Sequence, residues 1–385
     1  MIIGGDIVPT ENNNYFFSSG DLDSLIGIEL KNILAKADYR IYNLEAPITD
    51  KLDPIKKCGP NLFAPSSAII GIKALNPNLI GLANNHILDH GVEGLKRTEE
   101  ILVKYDIDYI GAGKNIEEAA KPFIITFEDT KIGVYACAEH EFTIASLNEP
   151  GANPFDPLES LDHIAKLKEE CNYVIVLYHG GKEYYRLPSP ELKKRCRKMV
   201  EKGASLVICQ HSHCICCEDR YKGGVIVYGQ GNFIFNKIEA GQENYEYSKD
   251  GLLIEVIFSK DKMEVDYIPI NRFNNNTIQI SEKSIANKIL DEFYDRSESI
   301  KDDIYVENEF RKFAVSKFNY YMINYSGKKH SLYFRILRKI VKDYAYNLVL
   351  TFRNQDYLAL RNYIECEAHY EVLLTIFKEK CIEKK

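Results

Sequence analysis

Short apolar runs of strand length alternate along this chain with longer segments in which apolar residues recur every three to four positions. The runs lie at 1–5, 40–44, 79–82, 109–111, 123–127, 132–136, 173–178, 205–209, 225–228, 252–258 and 263–268. Several are rich in β-branched or aromatic residues and are bounded by Gly, Pro or Asn. Helical spacing occupies 22–35, 66–75, 92–104, 158–169 and 190–202. Such alternation is the pattern of an α/β fold. The closely spaced pairs within 123–136 and 252–268 predict hairpins, so the sheets should be mixed rather than purely parallel.

The chain has 385 residues, 45% of them hydrophobic, which is ample for one large core and an addition. The run NNNTIQ at 274–279 reads as a linker, dividing the chain into 1–275 and a helical extension at 276–385. Within the extension, 311–342 holds nine Lys or Arg, seven Phe or Tyr and no Asp or Glu, although the whole chain carries a net charge of -7. The overall charge argues against a protein that coats nucleic acid, and no nucleic-acid partner is expected. The local cationic segment could dock an anionic membrane leaflet, an acidic polymer or an acidic partner protein. Residues 332, 336, 340 and 344 recur at intervals of four, which would suit a helix lying on a surface.

Ten irregularly spaced cysteines and an opening MIIGGDIVPT, with neither basic nor long apolar character, predict a cytoplasmic protein with reduced thiols. No apolar run approaches the ~18 residues needed to cross a bilayer, so membrane contact should be peripheral, at the inner face.

The ends of the predicted strands share a second property. Asp6 follows MIIGG, Glu45 follows IYNL, Asn84-Asn85-His86 follow LIGLA, His179 follows VIVLY, and His211 and His213 follow SLVICQ. Taken alone, Asp6 reads as a turn or cap residue. His211 and His213, two apart, point the same way if the backbone is extended. Taken together, five strand ends finish in carboxylate, amide or imidazole. In open α/β sheets such ends line the ligand crevice, and these are ligand types for borderline divalent metals. Two ions would need a bridging carboxylate, for which Glu45 or Asp6 could serve. Cys209, Cys214, Cys216 and Cys217 offer an alternative zinc set, but their spacing lacks the usual paired ligands and core packing explains them better.

The words GGDIV, NLEAPIT, FAPSS, GLANNHILDHG, GAGKNIEEAAKP, YHGGKEY, QHSHC and VYGQGNFIFN, in this order over about 1–240, resemble the CapA-type poly-γ-glutamate capsule biosynthesis proteins of the calcineurin-like metallophosphoesterase superfamily. The resemblance implies an α-β-β-α sandwich carrying a dinuclear centre of divalent ions, Mn, Fe or Zn. Asp6, Glu45, Asn85, His179, His211 and His213 match its ligand positions. His86 matches the catalytic histidine, with Asp89 as its partner. Asn84, Glu183, Tyr184 and Asn232 are expected near a phosphorylated or polymeric anionic substrate. The chain departs from the superfamily at Val8, where a histidine ligand is usual, and it has QHSH for GHPH and YGQGNF for YSLGNF. The implied function is metal-dependent phosphoester hydrolysis or transfer in capsule or related polymer synthesis. The alternatives are a non-hydrolytic metal-binding scaffold of a capsule complex and a general phosphodiesterase.

Overall fold

The protein is described by a computed structural model covering residues 1–235, 249–259, 262–273 and 277–382. It forms two compact units, Met1–Phe310 and Arg311–Lys385.

The first unit contains an eight-stranded and a six-stranded sheet. In the larger, the strands run in the order Ile278–Ile280, Met263–Arg272, Asp250–Phe258, Ile2–Val8, Arg40–Leu44, Leu79–Gly81 and Asp108–Ile110, with Asn232–Phe235 paired separately to Ile2–Val8. The smaller runs Glu218–Tyr221, Gly224–Val227, Leu206–Gln210, Tyr173–His179, Thr130–Ala138 and Phe123–Phe127. Both expected hairpins are present as antiparallel pairs. The central pairs of each sheet are parallel.

Period-two alternation sorts these strands into layers. Ile3, Ile41 and Leu79 of the larger sheet share a core with Val134, Ile175, Leu177 and Ile208 of the smaller. Their neighbours Ile2, Tyr42 and Ile80 face outward onto Leu30, Leu34, Ile72, Leu95 and Leu102 of the covering helices. On the far side, Tyr135, Val174, Val176 and Val207 meet Ile164, Leu167, Leu192 and Met199. Strands buried on both faces read as unbroken apolar runs, and the result is the expected α-β-β-α sandwich. Strands Glu218–Tyr221, Asn232–Phe235 and Ile278–Ile280, of three or four residues each, are not among the predicted runs.

The expected division at 275/276 does not match the compact units. Residues 274–276 of the linker lie outside the described residues, but Ile278–Ile280 pairs with Met263–Arg272. Helix Lys283–Ser299 then inserts Ile289 and Phe293 into the core between the sheets, where Phe293 meets the Tyr267 ring at 4.8 Å. An aromatic anchored this way makes the helix part of the first unit.

The second unit is helical, with Phe318–Tyr325, Leu332–Val341, Tyr344–Val349, Asn354–Glu365 and Glu367–Ile382. Ile323, Phe334, Ala345 and Val349 form a small core within it. Among the described residues no helix is long and apolar enough to cross a membrane.

Candidate metal centre

Strand register brings the expected polar residues level. Asp6 pairs in register with Asn43 on one side and Asn232 on the other, Asn43 with Gly81, and Gln210 with His179. The carboxyl ends of the parallel strands therefore carry Asp6, Glu45 and the 84–86 turn on one sheet, and His179, His211 and His213 on the other. Gly5 permits the close approach of Asn232–Phe235, since a Cβ there would stand 2.3 Å from the Gly231 carbonyl oxygen.

Glu45, His179 and His211 bring one ligand atom each within 4.8 Å of one another, and Asp6, Glu45 and His213 do the same. Glu45 belongs to both groups. It is fully buried, and neither carboxylate oxygen has a hydrogen bond. His179 Nε2 lies 3.2 Å from Glu45 Oε1 but donates its hydrogen bond to Asn85 Oδ1 at 3.1 Å. The buried His211 Nδ1 also lacks a partner. A bare buried carboxylate costs several kcal/mol unless a cation compensates it. Carboxylate, imidazole and amide oxygen are the donors that borderline divalent ions take, so these residues fit such ions. Among the described residues neither group contains a cysteine, and Cys209 instead packs in the core with its sulfur 3.6 Å from that of Cys196.

His211 and His213 reach the centre by a route other than the one their spacing suggests. Both adopt left-handed backbone, with φ of 79° and 51°, in the turn after strand Leu206–Gln210. An extended chain would have sent both rings the same way; the turn delivers His211 to one group and His213 to the other. Non-glycine residues in this region cost on the order of 1–3 kcal/mol each and cluster at functional sites.

Burial, then the Glu45 charge, pushes the Asp6 carboxyl up to about 6. Burial also opposes ionisation of Glu45, but the imidazoles of His213 and His179 outweigh it and hold this carboxyl well below its ordinary range. Burial lowers His179 and His213, yet Glu45 and Asp6 prevail and both are raised; burial and His179 drive His211 far down. A bound cation would draw Asp6 back toward the ionised form.

Beside these groups His86 Nδ1 meets Asp89 Oδ2 at 2.5 Å. The backbone amide of His86 donates to Asn84 Oδ1 at 3.1 Å. Lys57 Nζ stands 3.2 Å from the same ring nitrogen and forms an ion pair with Asp89, with 3% of the Lys57 side chain and none of the Asp89 side chain exposed. With Nδ1 committed to Asp89, proton chemistry at this imidazole falls to Nε2.

Several expected contacts take other positions. Asn84 is fully buried and donates to the Leu44 carbonyl at 2.8 Å, so it holds the turn. Asp89, expected in catalysis, is equally buried and reaches the site only through His86. Asn232 Oδ1 accepts from His213 Nδ1 at 2.9 Å, orienting that ring. Glu183 Oε1 lies 4.0 Å from His211 Nε2, and the Tyr184 ring centre 5.9 Å from that of His213, so both border the centre. Val8 packs with Ala46, Leu62 and Phe235 where a ligand was absent from the motif. Sequence reasoning missed Lys57 and Asn43. Asn43 Nδ2 donates to Asp6 Oδ1 at 2.7 Å and contacts His179 Nδ1 at 3.3 Å. Asn43 had a signal, as an amide two residues before Glu45 in a strand; Lys57 had none.

The family model described as "Bacterial capsule synthesis protein PGA_cap" matches residues 1–237. Capsule biosynthesis protein CapA of Bacillus anthracis is 28% identical over 249 residues, covering 62% of this chain and 59% of its own length. PGA biosynthesis protein CapA of Bacillus subtilis is 28% identical over 251 residues, covering 62% and 63%. The chain thus spans about three-fifths of the length of these curated relatives. Among solved structures, a putative 5′-nucleotidase from Staphylococcus aureus aligns at 13% identity over 76% of this chain and 57% of its own, with a TM-score of 0.41.

Proposed function

The chain belongs to the bacterial capsule synthesis protein PGA_cap family, and from that premise we propose that it is a metal-dependent phosphoester hydrolase or transferase acting in the synthesis of poly-γ-glutamate or a related extracellular polymer. The observation that carries the metal dependence is the fully buried carboxylate of Glu45, which accepts no hydrogen bond and is shared by two ligand groups. Asp6, Glu45 and His213 would hold one divalent ion, and Glu45, His179, His211 and Asn85 the other. Mn, Fe or Zn at these positions would supply positive charge to a phosphoryl group and a more acidic water as nucleophile.

The chain's own residues do the rest. His86, with Nδ1 tied to Asp89, presents Nε2 as the proton donor to the leaving oxygen. Asp89 fixes the tautomer, and Lys57 holds Asp89 in place. Glu183 and Tyr184 border the space where a phosphorylated or polymeric anionic substrate would lie.

A second reading, a non-hydrolytic metal-binding scaffold of a capsule synthesis complex, is favoured by Val8, which leaves the Asp6 group with one ligand fewer than the superfamily pattern. Elemental analysis paired with turnover of an aryl phosphodiester in added Mn separates the two. Two ions per chain with turnover abolished in His86→Ala supports the enzyme. Metal without turnover supports the scaffold.

A further inference from the structure

Helix Leu332–Val341 starts behind Ser331, whose hydroxyl accepts from the Phe334 amide at 3.2 Å. At about 100° per residue its side chains fall into three arcs. Phe334, Leu337 and Val341 turn inward onto Ile323, Ala345 and Val349. Leu332, Tyr333, Ile336 and Ile340 form a second apolar arc, and they are 71%, 63%, 49% and 71% exposed. Arg335, Arg338 and Lys339 complete the circumference and are all exposed. A helix covering a soluble core needs one apolar arc; this one has two, and the outer one borders cations.

The repeat of four at 332, 336 and 340 therefore marks the outer arc and not the packed one. Tyr344 does not continue it, because the helix breaks at Lys342, where φ is 50° and ψ -125°. Beside the basic arc lies an open cavity of about 450 Å³, lined by Lys329, His330, Phe334, Arg335, Arg338 and Lys339. The segment 311–342 itself contains nine Lys or Arg and no Asp or Glu.

We propose that this face docks on an anionic lipid bilayer. Leu332, Tyr333, Ile336 and Ile340 enter the boundary between headgroups and acyl chains, and Lys329, Arg335, Arg338 and Lys339 pair with lipid phosphates. The occupant must present hydrocarbon and negative charge side by side within the roughly 10 Å width of one helix. An anionic leaflet does so at every point of its surface, whereas a dissolved anion would leave the apolar arc wet.

The test is cosedimentation of the full chain with vesicles of phosphatidylcholine alone and of phosphatidylcholine mixed with phosphatidylglycerol, across a salt series. Binding is expected only to the mixed vesicles, weakening as salt rises. Each cation near an anionic leaflet is worth about a factor of five, so the triple change R335Q, R338Q, K339Q should reduce partitioning about 100-fold. The triple change L332S, I336S, I340S should also reduce it, since only exposed side chains are altered. No binding at low salt, equal binding to both vesicles, or binding undiminished in both triple variants overturns the proposal. Displacement by inorganic phosphate at matched ionic strength overturns it too, by assigning the cations to a free anion.

Discussion

Asp89 Oδ2 sits 2.5 Å from His86 Nδ1, and the two residues close one turn in which the Asp89 amide donates to the His86 carbonyl at 2.9 Å. A buried carboxylate against Nδ1 holds the imidazole in a single tautomer. In the proposed reaction the ring would present Nε2 as the proton donor without itself binding a metal.

His86→Asn should accordingly keep the metal content of the wild type while lowering phosphodiester turnover by about 10²–10⁴, the range for general acid–base groups. Elemental analysis and kinetics on the same preparation check this. Loss of metal together with turnover would make His86 a ligand and remove the assigned role.

Lys57 is the cation that compensates buried Asp89 on its other side. Lys57→Met should destabilise the fold by about 3–5 kcal/mol, because it leaves a buried carboxylate without its full complement of partners. Urea denaturation measures the difference. A cost under about 1 kcal/mol, typical of an exposed pair, would mean that the Lys57–Asp89 contact does not persist in solution.

Glu45→Gln should act in both states. In chelated protein it removes the charge that faces the His179 and His213 imidazoles, so Tm should fall; with Mn present it also removes the shared ligand, so metal content and the rise in Tm that Mn gives should both be lost. His211→Ala and Asp6→Ala should each reduce metal content less than Glu45→Gln, since each belongs to one group. Metal stoichiometry unchanged in all three variants would dismiss the centre.

Away from the centre, burial and then the Glu118 charge raise the carboxyl of Glu99 from 4.5 to about 7, with Tyr109 also facing it. The folded state holds this proton more tightly than the unfolded chain. Its stabilising effect is therefore complete below pH 4.5 and is lost as pH rises through about 7. Glu99→Gln should raise Tm relative to wild type at about pH 8 and leave it unchanged at about pH 4. Equal Tm differences at both values would show that Glu99 does not titrate with folding.

Much of this protein was determined by features that act locally. Apolar runs of strand length announced the strands, and helical spacing announced the helices between them. The side chains Asp6, Glu45, Asn85, His179, His211 and His213 stood out because each is a poor choice for the end of an apolar strand unless the crevice there uses it. Tertiary structure alone decided what those side chains meet. Parallel register levelled Asp6 with Asn43 and Asn232, and left-handed turns sent His211 and His213 to different groups. Packing carried Lys57, in a loop with no distinctive pattern, to the carboxylate of Asp89. The same limit appears at Ile289 and Phe293, whose helix joined the first unit across an expected boundary, and at Leu332, Ile336 and Ile340, whose spacing was visible while their exposure was not. Periodicity is a property of a single element and records that a face is apolar. Which neighbour covers that face, or whether any does, is settled by contacts between residues distant in sequence.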